Sequence, residues 1–150
     1  MTITRERLLQ TPAEGELATA ALVARVAAGL TFLGFSVGKF TRHEAEADAF
    51  DRYGVPLPEV ATYLVGLLEL GGGLLLVLGL LVRPIAVVLA GEMIGAVLTG
   101  GRVDGGLVHL GLAPLLAVTM VALVRVGAGR ASLDLVLLRR LRAAPDAVPA

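Results

Sequence analysis

The apolar residues of this chain are gathered into four long blocks, and the charge is concentrated between them. That distribution constrains the fold more than any motif. A helix rises about 1.5 Å per residue and a bilayer's hydrocarbon core is about 30 Å thick, so roughly 20 largely apolar residues make a spanning helix. The blocks run over about 17–38, 60–82, 84–99 and 107–126. The first holds Arg25, the second Glu69 and the third Glu92. The fourth has His109 near its start and Arg125 at its end. A water-soluble bundle would need a polar stripe at helical spacing on each segment. Leu74 to Val82 and Pro84 to Gly91 offer almost none. The sequence therefore predicts an all-α integral membrane four-helix bundle.

Composition narrows the function classes. Apolar residues make up 56% of the chain and charged residues only 17%, against a globular norm of about 25%. Thirteen Lys and Arg balance thirteen Asp and Glu, so net charge points to no nucleic-acid partner and the expected partner is the lipid bilayer. The absence of Cys removes disulfides, thiolate metal sites and any thiol relay within the chain. The N-terminus, MTITRERLLQTPAEGE, carries acids and shows no cleavable signal pattern. No metal site is expected, and the loop acids Glu44, Glu46, Asp48 and Asp51 read as a solvated face. His43 and His109 are too far apart in sequence to suggest a bis-His haem, so no intrinsic cofactor is expected. No Ser-His-Asp or paired-carboxylate hydrolase arrangement is legible either.

Four spans place both termini on one side. Residues 1–16 form an N-terminal tail, 17–130 the four-span domain and 131–150 a C-terminal tail. Arg5, Arg7, Arg83, Arg130, Arg139, Arg140 and Arg142 fall on the terminal side; Lys39, Arg42, Arg52 and Arg102 fall on the other. The positive-inside rule then predicts cytoplasmic termini in a multi-pass protein of the cell membrane. Arg83-Pro84 makes a tight hairpin between spans two and three, with Pro84 in the first helical turn. In the outer loop, HEAEADAF reads as a short helix and YGVPLPEV as a turn into span two. GAGR breaks the fourth helix, and Ser132 can then cap SLDLVLLRRLRA. That segment is either an amphipathic cytoplasmic helix lying on anionic headgroups or an ordinary polar tail. Gly66 and Gly73, and the pair Gly91 and Gly95, are spaced to let helices approach closely.

An ionisable group at mid-bilayer costs about 3 kcal/mol on insertion scales, so it must face the bundle interior and find a partner. The expected buried polar cluster is Arg25, Lys39, Glu69, Glu92 and His109. Arg25 and Glu92 stand at similar heights, roughly 10 and 12 Å above the terminal side, with Glu69 deeper at about 20 Å. Arg25, Gly29, Phe32, Ser36 and Lys39 share one helix face. These positions predict that Arg25 pairs with Glu92, while Glu69 points to Lys39 and His109. The pairs either fix helix register alone or line a functional polar cavity. His109 is a rim residue, a proton carrier or a hydrogen-bond donor to a quinone carbonyl.

ARVAAGLTFLGFSVGKF, AFDRYGVPLP, LVGLLELGGGLLLVLGLLVRP and GAGRASLDLVL, in this order, resemble the DoxX family of small membrane proteins. The similarity runs from Ala24 to about Leu138. Its most specific parts are Arg25, Gly38-Lys39-Phe40, Tyr53-Gly54-Val55-Pro56 and Glu69-Leu70 with Gly72-Gly73. The resemblance implies four transmembrane helices and a link to membrane redox chemistry. Relatives include subunits of thiosulfate:quinone oxidoreductase and members of oxidative-stress complexes. Lacking Cys, this chain departs from thiol-active relatives. The resulting expectation is a membrane subunit of a quinone-linked oxidoreductase. Arg25, Glu69 and His109 would contact the quinone, and a soluble redox enzyme would supply the redox centre. The competing expectations are a non-catalytic membrane anchor for a soluble partner and a homo-oligomeric transporter or proton path.

Overall fold

The computed structural model describes residues 15–143. The tails 1–14 and 144–150, with Arg5 and Arg7, lie outside the described residues, as does the side chain of Arg142. The helices are α1 (Glu16–Thr41), α2 (His43–Arg52), α3 (Pro58–Leu78), α4 (Val82–Leu98), the single turn α5 (Gly100–Val103), α6 (Ala113–Val126) and α7 (Leu133–Ala143). A π-helical turn, Val108–Leu112, leads into α6. Four segments are long and apolar enough to cross a membrane: Glu16–Thr41, Pro58–Leu78, Val82–Val103 and Val108–Val126.

The outward surface is what a bilayer requires. Val23, Leu64, Leu67, Leu115 and Val118 are each 57–67% exposed, a display of large aliphatic side chains that water would penalise. Inside, Phe32, Leu76, Leu89 and Met120 are fully buried. Helix α1 packs most extensively on α3, and α4 on α6.

Local chemistry fixes the boundaries. The second span stops at Leu78, short of the expected Val82, because Gly79 adopts a left-handed conformation at φ 70°. The N–H of Leu80 then bonds to Leu75 O and that of Gly79 to Leu76 O, the glycine-terminated helix end known as a Schellman motif. The tight hairpin to α4 places Pro84 in the first turn of that helix, where its missing N–H costs nothing. In the fourth span, Pro114 sits in the first turn of α6 and cannot donate to the carbonyl of Leu110. The turn before it widens, and Ala113 N–H reaches back to Val108 O, a π-type bond.

Helices α1 and α3 touch backbone to backbone. A Cβ on Gly29 would lie 2.8 Å from Gly73 O, and one on Gly73 would lie 2.8 Å from Gly29 O. The close approach expected at Gly91 and Gly95 is not made, since a Cβ at either would meet nothing within 4 Å. Gly95 borders the cavity instead. The outer-loop helix α2 forms where HEAEADAF was expected, and packs on α3.

Candidate functional site

Arg25 does not pair with Glu92. Its fully buried guanidinium donates from Nη1 to Leu76 O at 2.7 Å and Val77 O at 3.0 Å, and from Nη2 to Ala131 O at 3.2 Å. Both α3 carbonyls lie in its last turn, where helix carbonyls run short of intrahelical donors; Leu76 O also accepts the N–H of Gly79. The charge facing Arg25 is that of Asp134. The Asp134 carboxylate in turn accepts the N–H groups of Leu81 at 2.9 Å and Val82 at 3.1 Å, capping α4. Ser132 Oγ accepts Leu135 N–H at 3.2 Å, the cap expected for the C-terminal helix. Arg25 does share a buried face with Gly29, Phe32, Ser36 and Lys39. That face lies on α3 rather than α4, and the early end of α3 puts its carbonyls level with Arg25. Arg25 is therefore a structural clamp at the termini end of the bundle, away from the polar cavity.

The cavity has a volume of about 830 Å³. It lies among α1, α4 and the π turn with α6, and α2 contributes to its outer end. Leu30, Phe35, Met93, Leu112 and Leu116 give it apolar walls, while Lys39, Glu69, Glu92 and His109 bring polar groups to it. Lys39 Nζ stands 2.8 Å from Glu69 Oε2, with the two side chains 9% and 4% exposed. Gly66 makes the pairing possible. A Cβ there would sit 3.1 Å from Lys39 Cβ, so the bare backbone lets the lysine stem fold across α3 toward Glu69, about one turn on. Both Glu92 oxygens are buried and have no hydrogen-bond donor. Their electrostatic neighbours are Glu69 and Lys39. Of the five residues expected to cluster, the structure thus gathers four around one cavity and leaves out Arg25.

At the outer end, His109 packs against the bare backbone of Gly100, where a Cβ would come within 2.6 Å of its ring. The Tyr53 ring meets His109 edge-on, with centroids 5.5 Å apart at 80°. The Tyr53 hydroxyl donates to the Asp104 carboxylate, which also lies 3.8 Å from Arg52. Burial first, and then Asp104, pushes the Tyr53 phenol up to about 12. This tyrosine pins the outer loops together across the cavity mouth. In the sequence it stands in a turn and in one of the stretches that resemble the family, with no site role. His43 takes no part in the cavity; it stacks on Tyr63 with centroids 3.8 Å apart. Among the described residues, no three His, Asp or Glu side chains are grouped as metal ligands would be.

Four membrane-crossing helices around a cavity with a buried ion pair define a multi-pass membrane protein carrying a polar site inside an apolar shell. The DoxX family pattern matches residues 20–102, and the chain belongs to the DoxX family. That match takes in Lys39, Tyr53, Glu69 and Glu92 and ends before Asp104, His109 and Asp134. A Bacillus subtilis (strain 168) protein named "Putative oxidoreductase CatD" is 35% identical over 78 residues, which cover 52% of this chain and 57% of that protein. The similarity thus spans little more than half the length of that relative. No solved structure matches.

Proposed function

We propose that this protein is the membrane subunit of a quinone-linked oxidoreductase, and that its cavity receives the quinone headgroup. The observation that carries this reading is the cavity itself: apolar walls, a few convergent polar groups and a volume of about 830 Å³, within the range of small-molecule sites. The residues present fit such a group. A quinone ring bears two carbonyl acceptors, which become hydroxyl donors on reduction. Lys39 and His109 offer donors, and the Glu92 oxygens lack a donor within the protein. Leu30 and Phe35 line the cavity and are 57% and 37% exposed, an apolar surface that suits a long apolar tail.

A bound quinone would supply two-electron, two-proton carrier chemistry. The chain's own residues would orient the ring, exclude bulk water and hold a proton close to it. The electrons would come from a soluble partner docking at the termini end, and the arginine excess there supports a cytoplasmic side for it. The name of the Bacillus subtilis relative supports redox work in general terms. The test is purification of the full chain in mild detergent, followed by extraction and quantification of retained quinone. Retention well above that of an unrelated four-span protein, lost in Glu69→Leu, is expected. Background retention in the wild-type protein would overturn the proposal.

A further inference from the structure

Three charged groups meet at the inner wall of the cavity, and their count does not balance. Lys39 contributes one positive charge from α1, Glu69 one carboxylate from α3 and Glu92 another from α4. Glu69 and Glu92 line the same cavity as electrostatic neighbours, with Lys39 acting on both. The other charged or titratable groups at this cavity are Arg42 from α1's end, Glu46 and Arg52 from α2, Tyr53 and Asp104 from the loops and His109 from the π turn. Of these, Glu46 acts on Glu69 as a further negative charge, and Asp104 is taken up by Tyr53 and Arg52. An unpaired buried carboxylate is among the most costly groups a protein can hold, more so within a bilayer.

Two ionised carboxylates are both acceptors and cannot bond to each other. A hydrogen bond can join them only when one proton sits between them. With that proton, the cluster is neutral: one ammonium, one carboxylate, one carboxylic acid. We propose that Glu69 and Glu92, anchored by Lys39, form a proton-holding carboxyl pair that exchanges a single proton with the cavity's ligand. In the exchange, the O–H bond on the pair breaks and one forms on a ligand oxygen that has become basic. The pair is left as two carboxylates beside Lys39 until a proton returns. This deepens the quinone reading, since it concerns the same cavity, but its test needs no quinone.

The test is infrared spectroscopy of the ligand-stripped full chain in lipid nanodiscs at neutral pH, in H₂O and D₂O. The wild-type protein should show the carbonyl stretch of a protonated carboxylic acid, shifted by deuteration. Glu92→Gln and Glu69→Gln should each abolish the band, because the remaining carboxylate then balances Lys39. Lys39→Met should increase it about twofold, because two carboxylates without a cation hold two protons. Absence of the band in the wild-type protein would overturn the proposal whether or not the variants fold. So would a band that survives both glutamine substitutions. Failure here with quinone retained would remove the proton role and leave the binding role standing. The reverse result would separate the pair from any quinone.

Discussion

Replacing Asp134 by Ala probes the contact on which the termini end of the bundle depends. The carboxylate accepts two backbone N–H groups of α4, at 2.9 and 3.1 Å, and it is the charge facing the buried Arg25. Loss of an N-cap typically costs about 1 kcal/mol, at most about 2. Stranding one member of a buried charge pair costs about 3–5 kcal/mol. Arg25 keeps its three carbonyl acceptors, so the second term falls below that range. Leu81, whose N–H is released, sits at φ 53°, a conformation costing a non-glycine residue about 1–2 kcal/mol unless the surroundings hold it. The sum expected for Asp134→Ala is about 3 kcal/mol. Asp134→Asn keeps one capping oxygen and loses the charge, so it should fall between the wild type and Ala. Thermal unfolding of the full chain in one detergent compares the three, and Arg25→Met completes a double-mutant cycle with a coupling of about 1–3 kcal/mol. A melting temperature for Asp134→Ala equal to that of the wild type, with no coupling to Arg25, would refute the clamp.

Gly29→Ala should weaken the α1–α3 contact by about 2 kcal/mol, because the added methyl meets backbone that cannot yield, whereas Gly91→Ala should be neutral or gain up to about 1 kcal/mol in helix propensity; paired melting curves check both. Tyr53 holds its proton more tightly folded than unfolded, where a phenol titrates near 10, so its contribution to stability is fully present below pH 10. It fades as the pH rises toward about 12. Ultraviolet titration in a Tyr63→Phe background isolates Tyr53, since the chain has two tyrosines. The Asp104→Asn change should lower its midpoint, and Tyr53→Phe should remove the alkaline loss of stability.

The four spans were legible because bilayer thickness sets helix length, and few other structures satisfy backbone groups in lipid. Lys39 and Glu69 are legible as partners because each is a charge on a face that has to turn inward. What the sequence concealed depends on helix ends. Arg25 was assigned to Glu92 from matching heights, but Gly79 stops α3 early and exposes carbonyls that satisfy a guanidinium without any carboxylate contact. Asp134, an acid two residues after Ser132, is the available signal for the α4 cap. It belongs to a segment distant in sequence, so only the fold brings it to Leu81. Glu92 is expected to meet Arg25 and instead has Glu69 and Lys39 as its electrostatic neighbours. Gly91 and Gly95 show that spacing alone does not say whether a neighbouring helix is present.

The cavity can be tested most directly through a single introduced thiol, since the chain has no cysteine. Ala96 lines the cavity and is half-buried, and Val118 is 67% exposed on the lipid-facing side. Thiol labelling of Ala96→Cys in nanodiscs, with and without a short-chain quinone whose ring carbons are all substituted so that it does not add to thiols, reads occupancy at the proposed site, with Val118→Cys as the reference. The account predicts that the quinone slows labelling at position 96 in a saturable manner and leaves position 118 unaffected. Equal rates with and without quinone at position 96, or equal slowing at both positions, would contradict it.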